Sequence, residues 1–193
     1  VCFRTVEHYI GSIDNYNFDH IHQLIDLYTD GFFLYGYYKL SDYLMNQGVT
    51  VYQYILSYVG SHSFSITDGT GVIGADHGDD CLYLWTFQNT TKDDDDVAVS
   101  KIMTQVWTDF ATYGDPTPPG SEFSWTPLET TSNFNFWNIS GPKPAMEHSD
   151  NIQERMELWE TILDNDKSAA LSNQPKLGIF LLFLFALSYQ INI

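Results

Sequence analysis

The sequence has few basic residues, and this shortage limits the partners of the protein. Its 193 residues contain 8 Lys and Arg against 25 Asp and Glu, which gives a formal net charge of −17. Proteins bind nucleic acid because Lys and Arg replace the counterions condensed on phosphate, whereas an acidic surface repels the polyanion. We therefore expect no nucleic-acid partner, and the same sign of charge disfavours an anionic membrane surface.

Cysteine is also scarce, which excludes a disulfide scaffold. The chain has 2 Cys, at Cys2 and Cys81, and their spacing fits no metal-binding motif. No second His or Cys stands at ligand spacing from His77. We therefore predict neither a metal nor another cofactor.

Core-forming residues, in contrast, are abundant. The chain is 44% hydrophobic and contains 13 Phe, 13 Tyr and 5 Trp, so it is not a disordered acidic segment. Its length corresponds to about one globular domain. The first residue is Val1 and not Met, from which we expect either a mature product or a piece of a longer protein.

The C-terminal segment differs sharply in composition from the rest. Residues 177–187 form an apolar run of eleven residues, which as a helix is roughly 16 Å long against a hydrocarbon core of about 30 Å. Small residues at 168–170 and a polar spacer at 166–176 precede it, the order of a GPI-anchor signal with Ser168 as attachment site. A tilted membrane anchor and a buried core helix are the alternatives for the tail at 177–193.

Hydrophobic periodicity predicts three helices and one strand. Apolar residues recur at helical spacing over 18–28, 93–113 and 149–163, and Gly114 is placed to end the second helix. The β-branched and aromatic run at 49–58 is typical of a buried strand.

His77 is the residue whose setting suggests chemistry. It follows a Gly-rich loop, precedes Gly78, and has acidic neighbours that could orient an imidazole at Asp76, Asp79 and Asp80. A lone His in a loop is more often structural or solvated than catalytic, and the spacing alone leaves both interpretations open.

Six segments in the same order resemble the type-B carboxylesterases, the family that includes insect esterases and cholinesterases. The segment around His77 is similar to the stretch that carries the catalytic histidine of that family. The matching segments are Val51–Tyr58, Gly74–Trp85, Trp107–Pro118, Trp125–Pro127, Trp137–Ile139 and Arg155–Trp159. One such match is weak evidence, whereas several in order are specific.

The resemblance implies an α/β fold, in which residues 1–165 form the C-terminal part of an α/β-hydrolase: the last strands and helices of the central sheet, incomplete on their own. It also implies that His77 is the base of a Ser, acid, His triad. The chain contains no G-x-S-x-G nucleophile turn, so the Ser and the triad acid are expected upstream. We therefore expect a serine carboxylesterase as the full-length protein and an inactive fragment.

The resemblance assigns supporting roles to three further residues. Asp80 is expected to support the site from behind His77, and Asp30 to hold a loop beneath the site by hydrogen bonds. Gly78 is expected to give the backbone freedom beside the catalytic ring.

Two sequons point to the secretory pathway. Asn89 and Asn138 each begin an Asn-x-Ser/Thr triplet, an acceptor for N-glycosylation. We therefore expect a secreted or cell-surface glycoprotein, with membrane attachment through the tail.

Two other functions compete with the hydrolase. The first is a catalytically inactive, esterase-like cell-adhesion protein of the same fold, which has no physical need for His77. The second is a free-standing domain with another activity, disfavoured because missing strands would leave sheet edges uncovered. A small-molecule carboxylic ester is the expected partner, and the sequence predicts neither which ester it is nor an oligomeric state.

Overall fold

The computed structural model describes residues 2–12, 14, 17, 20–64, 74–85, 92–130 and 132–171. For residues 2–4 and 164–171 it describes the backbone only. The described residues fall into two compact units. Among the described residues, the helical unit contains the chain up to Leu40 and from Asp150 to Leu171, and the sheet unit contains Ser41 to Ser149.

The helical unit is built from segments at the two ends of the described chain. Helix α1 spans Cys2–Ile10, α2 spans Ile21–Thr29, a π-helical turn spans Asp30–Leu34, α3 spans Tyr35–Asn46 and α6 spans Asp150–Leu171. The residues of α3 from Ser41 onward are assigned to the sheet unit. Helix α1 packs against α2 and α6, and the π-helical turn packs against α6. The predicted helices at 18–28 and 149–163 are confirmed as α2 and α6.

Helix α6 ends later than its apolar periodicity predicts. Ile152, Met156 and Trp159 are buried along one face, as their spacing requires. The helix nevertheless continues to Leu171, so it includes Ser168 and the first residues of the predicted polar spacer at 166–176. The rest of that spacer and the tail lie outside the described residues. Among the helices the structure describes, none is long and apolar enough to cross a membrane.

The described part of the sheet unit contains a three-stranded mixed sheet in the order β1-β2-β3. Strand β1 spans Tyr54–Leu56, β2 spans Asn135–Ile139 and β3 spans Ala145–His148. Strand β1 runs parallel to β2 with Ile55 opposite Asn138, and β3 runs antiparallel to β2. Helices together with this sheet confirm the predicted α/β class.

Strand β1 is shorter than the predicted strand at 49–58. The backbone N–H groups of Ser57 and Tyr58 both donate to the Ile139 carbonyl oxygen, at 3.1 and 2.9 Å. Two successive donors on one acceptor break the regular ladder, so the strand ends at Leu56.

Two helices complete the sheet unit and share its core. Helix α4 spans Asp79–Leu84 and α5 spans Asp94–Tyr113. The prediction of α5 is confirmed at both ends: Asp93 and Asp96 form a capping box at its start, and Gly114 ends it at φ 72°. The apolar face that periodicity predicts for this helix also includes Trp107 and Phe110, but each is 47% exposed, so these two side chains are not part of the buried core. The buried core consists of Leu56, Leu82, Tyr83, Val99, Ile102, Met103, Val106, Trp125, Trp137 and Ile139.

Candidate functional site

His77 occupies the second position of a tight turn that leads into α4. The Asp79 N–H donates to the Asp76 carbonyl oxygen at 3.0 Å, which closes the turn. Gly78, at φ 87° and ψ −2°, has the geometry of the third residue of a type II turn, which favours glycine. The turn therefore presents the imidazole at a corner of the chain.

The backbone around His77 is held by local hydrogen bonds, and its side chain is half-buried. The His77 N–H donates to Asp76 Oδ1 at 2.7 Å. On the other side of the turn, the Cys81 N–H donates to the Gly78 carbonyl oxygen at 2.9 Å. These hydrogen bonds hold in place the backbone that carries the His77 imidazole.

Asp79 is the buried acid that contacts this turn most extensively. Its Oδ2 accepts hydrogen bonds from Ser63 Oγ at 2.6 Å and from the Asp76 N–H at 2.8 Å. Its Oδ1 accepts from the Phe64 N–H at 2.8 Å. In the sequence, Asp76, Asp79 and Asp80 are the acids near the histidine, and the resemblance assigned the supporting role to Asp80. Two adjacent acids carry no sequence signal that shows which one accepts these hydrogen bonds.

Asp80 faces the sheet. Its Oδ2 accepts from Tyr54 Oη at 3.1 Å and its Oδ1 from the Cys81 N–H at 2.9 Å, so it ties α4 to β1. Burial, together with the Asp80 carboxylate, raises the pKa of the Cys81 thiol. This thiol is therefore protonated at neutral pH.

Asp30 lies in the helical unit and is fully buried. Arg155 Nε donates to its Oδ2 at 2.7 Å and Arg155 Nη2 to its Oδ1 at 3.2 Å, and Tyr9 Oη also donates to this carboxylate. Burial raises the pKa of Asp30, and the Arg155 guanidinium opposes that shift. These hydrogen bonds join helical segments of the same unit, and the predicted role of holding a loop beneath the site stays a prediction. The sequence alone did not predict the Arg155 contact, because Arg155 is 125 positions away.

Three of the predicted site residues are the proposed modification sites Asn89, Asn138 and Ser168. Asn138 is 6% exposed within β2, and its Oδ1 accepts a hydrogen bond from Ser57 Oγ at 2.5 Å. A glycan there would displace β2 from the core, so this burial argues against glycosylation of Asn138. Asn89 lies outside the described residues, and Ser168 lies in the last turns of α6.

The described residues bring together no group of three His, Cys, Asp or Glu side chains able to hold a metal ion. His77 is a half-buried histidine on a turn held by backbone hydrogen bonds, and an imidazole is a group that can act as a general acid or base.

Comparison with known proteins identifies the family of this chain. The profile of the carboxylesterase family matches residues 3–159, which is most of the chain. The chain belongs to the carboxylesterase family. The predicted resemblance is therefore confirmed.

Individual carboxylesterases agree with this assignment. The chain is 29% identical over 196 residues to the juvenile hormone esterase of Tribolium castaneum, covering 91% of this chain and 33% of that protein. It therefore spans about a third of that relative's length.

Two solved carboxylesterases share the fold. The Manduca sexta juvenile hormone esterase, with OTFP covalently attached, gives a TM-score of 0.63 at 20% identity, covering 82% of this chain and 31% of that one. The Geobacillus stearothermophilus carboxylesterase gives 0.56 at 19% identity, with 79% and 31% covered. This structural similarity is evidence for the fold only. It confirms the predicted α/β-hydrolase fold.

Proposed function

We propose that this chain supplies the base histidine of a serine carboxylic ester hydrolase and that His77 is this residue. The nucleophilic Ser and the triad acid then belong to sequence outside these 193 residues. The observation that carries the proposal is the placement of His77: a half-buried imidazole at the corner of a braced turn, in a chain of the carboxylesterase family. The competing adhesion function needs no such imidazole.

In this proposal the His77 imidazole accepts and then donates one proton in each half of the reaction. It takes the proton from the Ser hydroxyl as the Ser oxygen attacks the ester carbonyl carbon, and it gives that proton to the departing alkoxide as the ester C–O bond breaks. In the second half it takes a proton from water, whose oxygen attacks the acyl-enzyme, and returns it to the Ser oxygen. The products are an alcohol and a carboxylic acid.

The proposed substrate is a small carboxylic ester. Two of the similar proteins are named juvenile hormone esterases, so juvenile hormone is the first natural ester to assay. A chromogenic ester such as p-nitrophenyl acetate tests the chemistry independently of that choice.

The test is to replace His77 in the full-length protein that contains this chain. We expect His77→Ala to lower kcat/KM for p-nitrophenyl acetate by about 10³-fold or more, because the Ser loses its proton acceptor. His148→Ala, which changes an exposed histidine of β3, is the matched control and should keep wild-type kinetics.

Two results would contradict the proposal. If His77→Ala and His148→Ala are equally active, His77 is not the base. If the folded wild-type protein hydrolyses no ester and no Ser in it reacts with a fluorophosphonate probe, the protein is an inactive member of the family, as the adhesion hypothesis requires.

The location of the protein stays a prediction from the sequence. A secreted or cell-surface protein, glycosylation at Asn89 and attachment through residues 177–193 all depend on positions outside the described residues. We retain them as part of the proposed function.

A further inference from the structure

We propose that Asp79 is the positioning residue for His77, a role that rests on the proposed function. Its carboxylate joins the chain before residues 65–73 to the turn that follows them. In this way it fixes the position from which the imidazole exchanges protons with the Ser.

The first support is the bonding of the Asp79 carboxylate. It is 2% exposed and accepts three hydrogen bonds, from one hydroxyl and two backbone N–H groups. Hydrogen bonds to an ionised acceptor are about twice as strong as neutral ones, and they are stronger still away from water. The Asp79 carboxylate therefore holds the two chain segments that it joins firmly together.

The second support is where those bonds act. One donor is the backbone N–H of Asp76, the residue whose own Oδ1 accepts from the His77 N–H at 2.7 Å. Another donor is the Phe64 N–H, and the Phe64 ring lies beside Gly78, 3.6 Å from the position a Cβ would occupy there. Asp79 thus constrains the residues on both sides of His77.

The neighbouring acids do not share this arrangement. Asp80 is bonded to Tyr54 and to its own helix, and Asp76 is itself held by Asp79. If the imidazole must be placed to within about an ångström, weakening the hydrogen bonds of Asp79 lowers the rate of ester hydrolysis by up to about 100-fold.

The test is Asp79→Asn in the full-length protein, because this change keeps the size of the side chain. Oδ1 and Oδ2 each accept from a backbone N–H, so an amide NH₂ must face one such donor whichever way it turns. We expect kcat for p-nitrophenyl acetate to fall by about 10- to 100-fold with KM nearly unchanged, since the base is displaced and the substrate contacts are not. Faster hydrogen exchange at the Phe64 and Asp76 amides should accompany the fall.

Asp96→Asn is the matched control. Asp96 is also 2% exposed and accepts from Tyr58 Oη and the Ser61 N–H, but its bonds brace the start of α5. We expect this variant to lose stability while keeping the wild-type kcat and wild-type exchange at Phe64 and Asp76. Ser63→Ala removes the 2.6 Å hydrogen bond to Asp79 and leaves the two backbone N–H donors in place, so it should give a smaller fall in kcat. This variant tests the inference if Asp79→Asn does not fold.

The outcomes separate the two proposals. Suppose that His77→Ala abolishes activity while Asp79→Asn keeps the wild-type kcat and the wild-type amide exchange, as Asp96→Asn is expected to do. The inference about Asp79 is then wrong and the proposed function stands. Ser63→Ala replaces Asp79→Asn in this comparison if the latter does not fold. If the wild-type protein hydrolyses no ester, the proposed function fails, and with it the positioning role of Asp79.

Discussion

At the residue scale, buried carboxylates of the sheet unit are satisfied largely by neutral donors. Asp79, Asp80 and Asp96 accept from Ser and Tyr hydroxyls and from backbone N–H groups. A chain with 8 Lys and Arg for 25 acids cannot pair each carboxylate with a cation. Hydroxyl and amide donors are the physical alternative, because a buried carboxylate without hydrogen bonds is strongly destabilising.

Gly60 shows how tightly one of these carboxylates is packed. A Cβ at Gly60 would lie 2.1 Å from Asp96 Oδ1 and 2.2 Å from Tyr83 Oη, both too close for a real contact. We expect Gly60→Ala to lower the free energy of unfolding by about 1 to 3 kcal/mol, through strain on this hydrogen-bonded cluster. Urea unfolding measures the change.

Gly36→Ala provides the contrast. Gly36 lies in α3, and among the described residues no atom comes within 4 Å of the position that a Cβ would occupy there. Here alanine should raise the free energy of unfolding by about 0.5 to 1 kcal/mol, because glycine is a poor helix former. Equal effects of the two substitutions would show that the space at Gly60 is not limiting.

At the element scale, α5 depends on its C-terminal cap. Gly114 has φ 72°, and its N–H donates to the Phe110 carbonyl oxygen at 2.8 Å. We expect Gly114→Ala to cost about 1 kcal/mol of unfolding free energy, because a Cβ is strained in the left-handed region. Gly114→Asn should cost less, since Asn tolerates that conformation. Thermal unfolding of the two variants tests the order, and an alanine variant as stable as the asparagine variant would contradict it.

The elements also show which local structure could be predicted. The ends of α5 follow from Asp93 and Gly114, whose effects act within one turn of the chain. The length of β1 could not be predicted, because it depends on where Ser57 and Tyr58 meet Ile139, more than 80 positions away. Hydrophobic pattern alone does not contain that pairing.

At the scale of the whole molecule, Asp30 and Arg155 join distant parts of the chain within the helical unit. Arg155→Leu removes the cation from a fully buried Asp30, so we expect it to lower the free energy of unfolding by about 3 to 5 kcal/mol. Asp30→Leu should cost less, because Arg155 keeps an ion pair with Asp26 at 3.3 Å. The double variant should lose less than the sum of the single variants, which a double-mutant cycle by urea unfolding measures.

Lys39 and Glu160 provide the comparison within the same unit. Their side chains are 41% and 38% exposed, with Nζ 2.6 Å from Oε1. Lys39→Ala should change the free energy of unfolding by only about 0 to 1 kcal/mol.

The double-mutant cycle at Asp30 and Arg155 has one outcome that would contradict the prediction made for that pair. If the effects of the two single substitutions are additive, the contact between the two side chains carries no coupling energy.

The amino-acid sequence alone was sufficient for the family, the α/β class, the extent of α5 and the choice of His77 as candidate base, because these depend on ordered motifs and local periodicity. The tertiary structure was needed to show that the Asp79 carboxylate accepts a hydrogen bond from the His77 turn while Asp80 accepts one from Tyr54, that Asn138 is buried, and that Gly60 leaves no room for a side chain. The physical reason is that burial and hydrogen-bond partners are set by contacts between distant segments. Adjacent residues with similar chemistry can therefore face different surroundings.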